Sequence, residues 1–265
     1  MKNFELIQKL KNDFRYCLEY DYYLHSSSGV ELFDVNGIVC ILNCDENYCM
    51  VTDYRRNELN NIEVIIRKNT SCNTVLINFN VAPDMYEEDI QYLNENHYKY
   101  NSANDSYINY KNSIYQNDVI TENHIVELTA HNINGYTYHD CNEKIQYRPS
   151  FERLVDVFLC KGNGRIIAYV ENNCILGYLS FINMFEDVND VDYIYVANKY
   201  RNMGIGTLLG KYYAEISKKE SRTAFWSNAT ETSSKVAIKS GFEWCCRHIS
   251  FYKDMDNYHF CFFQF

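Results

Sequence analysis

A mixed α+β chain of two units, with strands and helices alternating around a mixed sheet, is the fold class that the sequence predicts. Three observations predict it. The chain has 265 residues, long for one ordinary domain. Extended segments rich in β-branched residues alternate with helical-period segments along it. A glycine-bearing hexapeptide, Arg201-Asn202-Met203-Gly204-Ile205-Gly206, stands between an apolar strand and an amphipathic helix.

Phe4, Ile7, Leu10, Phe14 and Leu18 recur at three- and four-residue steps and predict a first helix, with Asn3 as its N-cap. Extended segments are expected at Val30 to Phe33, Ile38 to Leu42, Tyr48 to Thr52, Ile62 to Arg67 and Thr74 to Val81. Pro83 and Asp84 open a helical stretch with Met85, Ile90 and Leu93. Asn101 to Asp105 reads as a polar turn and Ser106 to Asn112 as a strand. A boundary near Ser113 to Asp118 divides the chain into 1–115 and 116–265. A strand at Asp118 to Ile120 and a helix near Glu122 to His131 follow, then a helix opened by Pro149 and Ser150. Arg165 to Val170 and Ile175 to Phe181 form a hairpin through Glu171-Asn172-Asn173. Val191 to Val196 is a strand. Gly204 to Ile216 is a helix with Leu208, Leu209, Tyr212 and Ile216 on one side. Thr223 to Trp226 is a strand and Thr232 to Lys239 a helix. Trp244 to Lys253 and Tyr258 to Phe265 form a closing hairpin.

Composition narrows the function. A net charge of −10, with no basic block, argues against nucleic acid, whose phosphates need a Lys/Arg face. It suits an amine-bearing, cationic small substrate. The 11 cysteines include no Cys-x-x-Cys pair, and no metal site is expected. Cys40, Cys44 and Cys49 read as buried thiols. Scattered thiols, no apolar signal core and no membrane-length apolar run lead to the expectation of a cytoplasmic protein with no membrane partner.

The hexapeptide carries the chemistry. A helix start has unpaired N–H groups and the positive end of the dipole, which together attract phosphate. Glycine at 204 and 206 lets the backbone approach an anion without a Cβ in the way. Arg201 adds a charged donor. A glycine-containing turn is the plainer alternative.

Ile194-Tyr195-Val196-Ala197-Asn198-Lys199-Tyr200-Arg201-Asn202-Met203-Gly204-Ile205-Gly206 resembles motif A of the GNAT (Gcn5-related N-acetyltransferase) superfamily. Ser233 to Phe242, ending in Gly241-Phe242, resembles motif B at the right spacing. The resemblance covers about residues 116 to 265. It implies an acyl-CoA-binding fold and acetyl-CoA as co-substrate. It implies that Ile194, Tyr195 and Val196 pair with the pantetheine arm. Backbone groups of Asn202, Met203, Gly204, Ile205, Gly206 and Thr207, with Arg201, would cradle the pyrophosphate. Asn228 or Thr230 matches a cofactor-contacting Asn of the family, and an N-cap is the alternative for either. Many members place a Tyr, as general acid, where this chain has Ala237; Ser233 lies one turn earlier.

Asp192, with Asp190 in reserve, is the candidate general base, since strand alternation puts both on the face of Ile194 and Val196. Glu186 and Asp187 are candidates for attracting a cationic acceptor. The expected activity is acetyl transfer from acetyl-CoA to a primary amine of a small acceptor in a ternary complex. An acyl-CoA-binding regulator and a protein or peptide acetyltransferase are the alternatives. Thr74 to Asn112, strand–helix–strand, resembles the end of a GNAT domain. The N-terminal half is therefore a degenerate GNAT-like unit or an unrelated α+β domain. Its aromatic load also suits a homodimer interface.

Overall fold

The computed structural model describes residues 2–11, 20, 23–24, 29–45, 47–52, 56–69, 72, 74–81, 87–109, 124–138, 150–184 and 187–255, with only the backbone at 2, 3, 11, 69, 78–81 and 228. The chain divides into two compact units, Met1–Asn104 with Cys246–Phe265, and Asp105–Cys245. The boundary region expected from the sequence, Ser113 to Asp118, lies outside the described residues. The last described strand contributes to both units, a division that 1–115 and 116–265 does not capture.

The first unit opens with helix α1 (Lys2–Lys11), which takes in Asn3, so that residue is not its N-cap. Phe14 and Leu18 lie outside the described residues. Strands β1 (Val30–Val35), β2 (Ile38–Asn43) and β3 (Tyr48–Val51) run antiparallel to one another in that order. Helix α2 (Leu59–Asn69) replaces the strand expected at Ile62 to Arg67. Its run of β-branched residues mimics a strand, but Leu59, Ile62 and Ile66 are buried at helical spacing while Val64 is exposed. Strand β4 (Thr74–Val81), parallel to β3, helix α3 (Glu87–Glu95) and strand β5 (Lys99–Asn109) follow. β5 includes Asn101 to Asp105, the expected turn; that segment runs from exposed at Asn101 to half-buried at residues 102–105, which lets a strand carry its polar composition. Of the three clustered cysteines, Cys40 and Cys49 are buried and Cys44 is exposed.

The second unit holds β6 (Ile125–Leu128), a strand where a helix was expected, and the short β7 (Thr137–Tyr138). Helix α4 (Phe151–Leu154) is capped by Ser150, whose side chain accepts from the Arg153 N–H, and runs on as a π-helical turn to Cys160. Then come β8 (Arg165–Glu171), β9 (Cys174–Met184), β10 (Val188–Val196), α5 (Ile205–Lys219), β11 (Thr223–Ala229), α6 (Glu231–Lys239) and β12 (Glu243–Asp254). β6, β8, β9 and β10 pair antiparallel in turn, and β11 joins β10 in parallel. Helix α5 buries Ile205, Leu209, Tyr213 and Ile216; Tyr213 rather than Tyr212 is the ring in the core. The final strand expected at Tyr258 to Phe265 lies outside the described residues.

The two units repeat one plan. β1-β2-β3-α2-β4-α3-β5 and β8-β9-β10-α5-β11-α6-β12 share element order and strand sense. Both open with a two-residue hairpin of positive φ, Asn36-Gly37 and Asn172-Asn173, the geometry that suits the twist of paired strands. α3 and α6 end alike. His97 and Gly241 have positive φ, and the N–H groups of Tyr98 and Phe242 reach back to the carbonyls of Leu93 and Ala237, at 2.9 and 3.0 Å. In the first unit the place between β4 and β5 is taken by β12 from Cys246 onward; in the second, β5 from Asp105 onward lies between β11 and the start of β12.

His97-Tyr98 thus stands where the second unit has Gly241-Phe242. Phe242 stacks on Tyr213. Tyr98 carries a hydroxyl into the core, so it needs a partner. It donates to Glu63 at 2.8 Å, and Lys253 binds both Glu63 oxygens at 2.9 and 3.0 Å. Burial, with Glu63 beside it, pushes the Tyr98 hydroxyl well above its ordinary range, so it stays a neutral donor.

His248, on the same strand as Lys253, is buried, and burial pushes its pKa down from 6.5 to about 4. The unfolded chain therefore takes up a proton that the folded one refuses. Stability is full above pH 6.5 and falls as pH drops towards 4, by up to about 3 kcal/mol. Urea unfolding at a series of pH values should show this loss in the wild type, with a shallower slope in His248→Gln. Equal slopes in the two would remove His248 as its source.

Candidate active site

The site is built where β10 parts from β11. In the lower part of β10, Asn189 and Val191 face α5: the Asn189 side chain donates to Ser217 at 3.0 Å, and Val191 joins the core with Leu209 and Tyr213. Between Val191 and Tyr193 the register with β9 slips, leaving Asp192 as the extra residue of a bulge. Beyond it Ile194 and Val196 take the α5 face. The opposite face carries Tyr195, packed on Tyr178 at 5.6 Å, and Tyr193 at 6.3 Å from the same ring. Ser180, paired with Tyr193, donates to Asp192 at 2.5 Å. The expectation that Asp190 and Asp192 share a face with Ile194 and Val196 therefore fails. A bulge inserts one residue and inverts the alternation above it, so both acids lie on the face away from α5.

The β10–β11 ladder covers only Val188 to Asp190 against Thr223 to Phe225, although β10 runs on to Val196. At the last paired position Asp190 is buried, and its carboxyl accepts from the Ser227 N–H at 3.1 Å and the Ser227 hydroxyl at 2.8 Å. From the α5 side the Tyr213 hydroxyl bonds the carbonyls of Asn189 and Phe225, at 2.6 and 3.0 Å. Ser180, Ser227 and Tyr213 were not singled out from the sequence. Their bonds join residues 12 to 37 positions apart, which no local pattern reveals.

Past Val196 the chain turns through Asn198 to Tyr200, and Arg201 Nε donates back to the Val196 carbonyl at 3.0 Å. Asn202 and Gly204 have φ of 64° and 84°. The first helical bond of α5 runs from the Leu208 N–H to the Gly204 carbonyl, so the N–H groups of Ile205, Gly206 and Thr207 precede the helical ladder. No acidic side chain stands in the first turn of α5, and Met203 is exposed. A Cβ at Gly204 would meet nothing within 4 Å; its backbone angle is what favours glycine. At Gly206 a Cβ would touch Val236 of α6 at 3.6 Å, an ordinary contact. The loop therefore ends β10 in an anion-attracting helix start with no resident carboxylate.

Thr230 is the N-cap of α6, its side chain accepting from the Ser233 N–H, and the Ser233 hydroxyl bonds the Thr230 carbonyl. Both are thereby engaged in capping. Only the backbone of Asn228 is described. Ala237 is fully buried in the core with Phe242. Asp187 is exposed, and Glu186 lies outside the described residues. Among the described residues no group of three or more His, Cys, Asp or Glu is placed to hold a metal ion, and no helix is long and apolar enough to cross a membrane.

The model of the acetyltransferase (GNAT) family matches residues 133–242, from the turn before β7 to Phe242. No curated protein matches the sequence significantly. Among solved structures, the chain is similar to a tandem GNAT protein from the clavulanic acid biosynthesis pathway, at 12% identity and a TM-score of 0.57, covering 89% of this chain and 87% of that one. It is also similar to a GCN5-related N-acetyltransferase from Kribbella flavida, at 11% identity and TM-score 0.56, covering 85% and 90%. A GNAT-family acetyltransferase from Colwellia psychrerythraea gives 13% identity and TM-score 0.52, covering 90% and 96%. Identities this low speak for the fold alone; the match of the family model rests on the segment that holds the bulged strand, the glycine loop and the Gly-Phe end of α6. Residues 133–242 of this chain are an acetyltransferase domain of the GNAT family.

Proposed function

We propose that the second unit transfers acetyl from acetyl-CoA to a primary amine of a small-molecule acceptor, by direct attack in a ternary complex. One observation carries this reading: the strand that parts from its neighbour at Asp190 ends in the glycine helix start at Gly204. An extended pantetheine arm suits the parted strands, and a pyrophosphate suits the helix end one loop away. Asp192, on the bulge between them, is the proposed base for the ammonium proton, and the acidic chain favours a cationic acceptor. A cytoplasmic enzyme and a homodimer are part of the same proposal. Binding of acyl-CoA without turnover is the second reading, and the buried Ala237, where many relatives place a Tyr, is what favours it.

Among its described residues the first unit repeats the plan without the slot. β3 and β4 pair over every residue of β3, Tyr48 to Val51, with no bulge against β2. Glu58, at the end of a 3-10 turn, stands immediately before α2, where its charge opposes an anion. One acetyl-CoA should therefore bind per chain. Titration calorimetry should give a stoichiometry near one, and thiol release from acetyl-CoA should depend on added amine across a panel of small amines. Two equivalent sites would overturn the single-slot reading, and binding without amine-dependent thiol release would favour the regulator.

A further inference from the structure

We propose that Asp190 and Tyr213 are positioning residues that fix where β10 and β11 part, and so how deep the arm of the cofactor reaches; this rests on the acetyl-CoA reading above. Two parallel strands in register tend to go on pairing, because each unmade backbone bond in a dry place is costly. Something must stop the ladder at Asp190 and Phe225. The side chains on both faces of that point do so. From one face the Asp190 carboxyl takes the Ser227 N–H, at 3.1 Å, with the Ser227 hydroxyl at 2.8 Å. That N–H lies two residues along β11 beyond the paired segment, past Trp226, which pairs with β5, and the carboxyl satisfies it in place of a carbonyl of β10. From the other face the Tyr213 hydroxyl, on α5, bridges the carbonyls of Asn189 and Phe225, one from each strand.

The two groups are held rigidly. Asp190 and Asn189 are 1% and 0% exposed and Tyr213 is 0% exposed. The Tyr213 ring is fixed by stacking on Phe242 and by Phe181 at 5.0 Å. Arg222 anchors the strand just below, donating to the Asn189 side chain at 2.6 Å and to the carbonyls of Val188 and Met184. The consequence is geometric. Were the ladder to close by two further residue pairs, the slot would shorten by about 7 Å. The reacting end of the arm would then be pushed back from Asp192, two residues above Asp190. This gives Asp190 a role other than base: both of its oxygens already hold Ser227 in place.

The experiment compares Asp190→Asn, Asp190→Ala and Tyr213→Phe in the full chain. Each is titrated with coenzyme A and with adenosine 3′,5′-bisphosphate, which lacks the arm, and turnover is followed across pH. Asparagine keeps an oxygen for the Ser227 N–H, so Asp190→Asn should bind coenzyme A more tightly than Asp190→Ala does, and whatever turnover it loses should be lost equally at every pH. Asp190→Ala and Tyr213→Phe should weaken coenzyme A about tenfold and leave the armless nucleotide unchanged, the loss of one buried hydrogen-bond partner. If Asp190→Ala does not fold, Tyr213→Phe, which keeps its ring, decides alone. Equal weakening of both ligands would overturn the positioning role, as would wild-type binding of coenzyme A by both Asp190→Ala and Tyr213→Phe. A turnover loss in Asp190→Asn that shrinks with rising pH would make Asp190 a base instead. A wild-type protein that binds neither ligand would sink the acetyl-CoA reading itself.

Discussion

Gly204→Glu should abolish acetyl-CoA binding while leaving the chain folded. Gly204 is the N-cap of α5 and holds φ at 84°, in the left-handed region. Any side chain there adds strain of about 1–2 kcal/mol. Space is not the difficulty, since a Cβ would meet no atom within 4 Å. Gly204→Ala thus isolates the strain, and its acetyl-CoA affinity should stay within about tenfold of wild type. Glutamate adds a carboxylate at a helix start whose first turn carries no acidic residue. Its charge would take up the dipole end that the pyrophosphate needs and repel the ligand over a few ångström. A loss of at least about 100-fold, close to 3 kcal/mol, is expected by calorimetry, with far-UV circular dichroism unchanged. A folded Gly204→Glu that binds acetyl-CoA as tightly as wild type would remove the phosphate from this helix end.

What the sequence shows, and what it hides, follows from the range of the interactions. The α5 loop is legible because its requirements are local: a positive φ at Gly204, an Arg that caps the strand end, an apolar helix directly after. The bulge at Asp192 is not local. It exists because β10 and β9 pair out of step, and nothing in Val188 to Val196 marks the extra residue. Both candidate acids were therefore named while their face was inverted. The repeat in the first unit is legible only in the strand–helix–strand order of Thr74 to Asn112, which leaves an unrelated domain open, for another reason. The backbone at His97-Tyr98 keeps the geometry of Gly241-Phe242, but the glycine and the apolar ring that would advertise it are replaced. Tertiary packing also overrode local preference at α2. There Ile62, Glu63, Val64, Ile65 and Ile66 favour a strand by type, yet Leu59, Ile62 and Ile66 meet the core only at a helical period.

Asp192→Asn should lower kcat/KM at neutral pH by about 10²–10⁴ and leave acetyl-CoA affinity nearly unchanged, if Asp192 takes the ammonium proton. Its placement suits that task better than Asp190's. Asp190 is buried and engaged through both oxygens by Ser227. Asp192 is partly exposed, on the bulge where β10 has already parted from β11. The Ser180 hydroxyl steadies it through Oδ2. Asparagine keeps the shape and can still meet Ser180, so the loss isolates the proton-accepting carboxylate. The defect should shrink as pH rises, because a growing fraction of the amine is already neutral and needs no base. Ser180→Ala should give a smaller loss in the same direction, since it frees the carboxylate to turn without removing it. An alternative role, drawing in a cationic acceptor, has a different signature: KM rises, kcat holds, and added salt erases the difference. Kinetics of Asp192→Asn equal to wild type across pH and salt would exclude both roles and leave Asp192 as the residue that its bulge happens to expose.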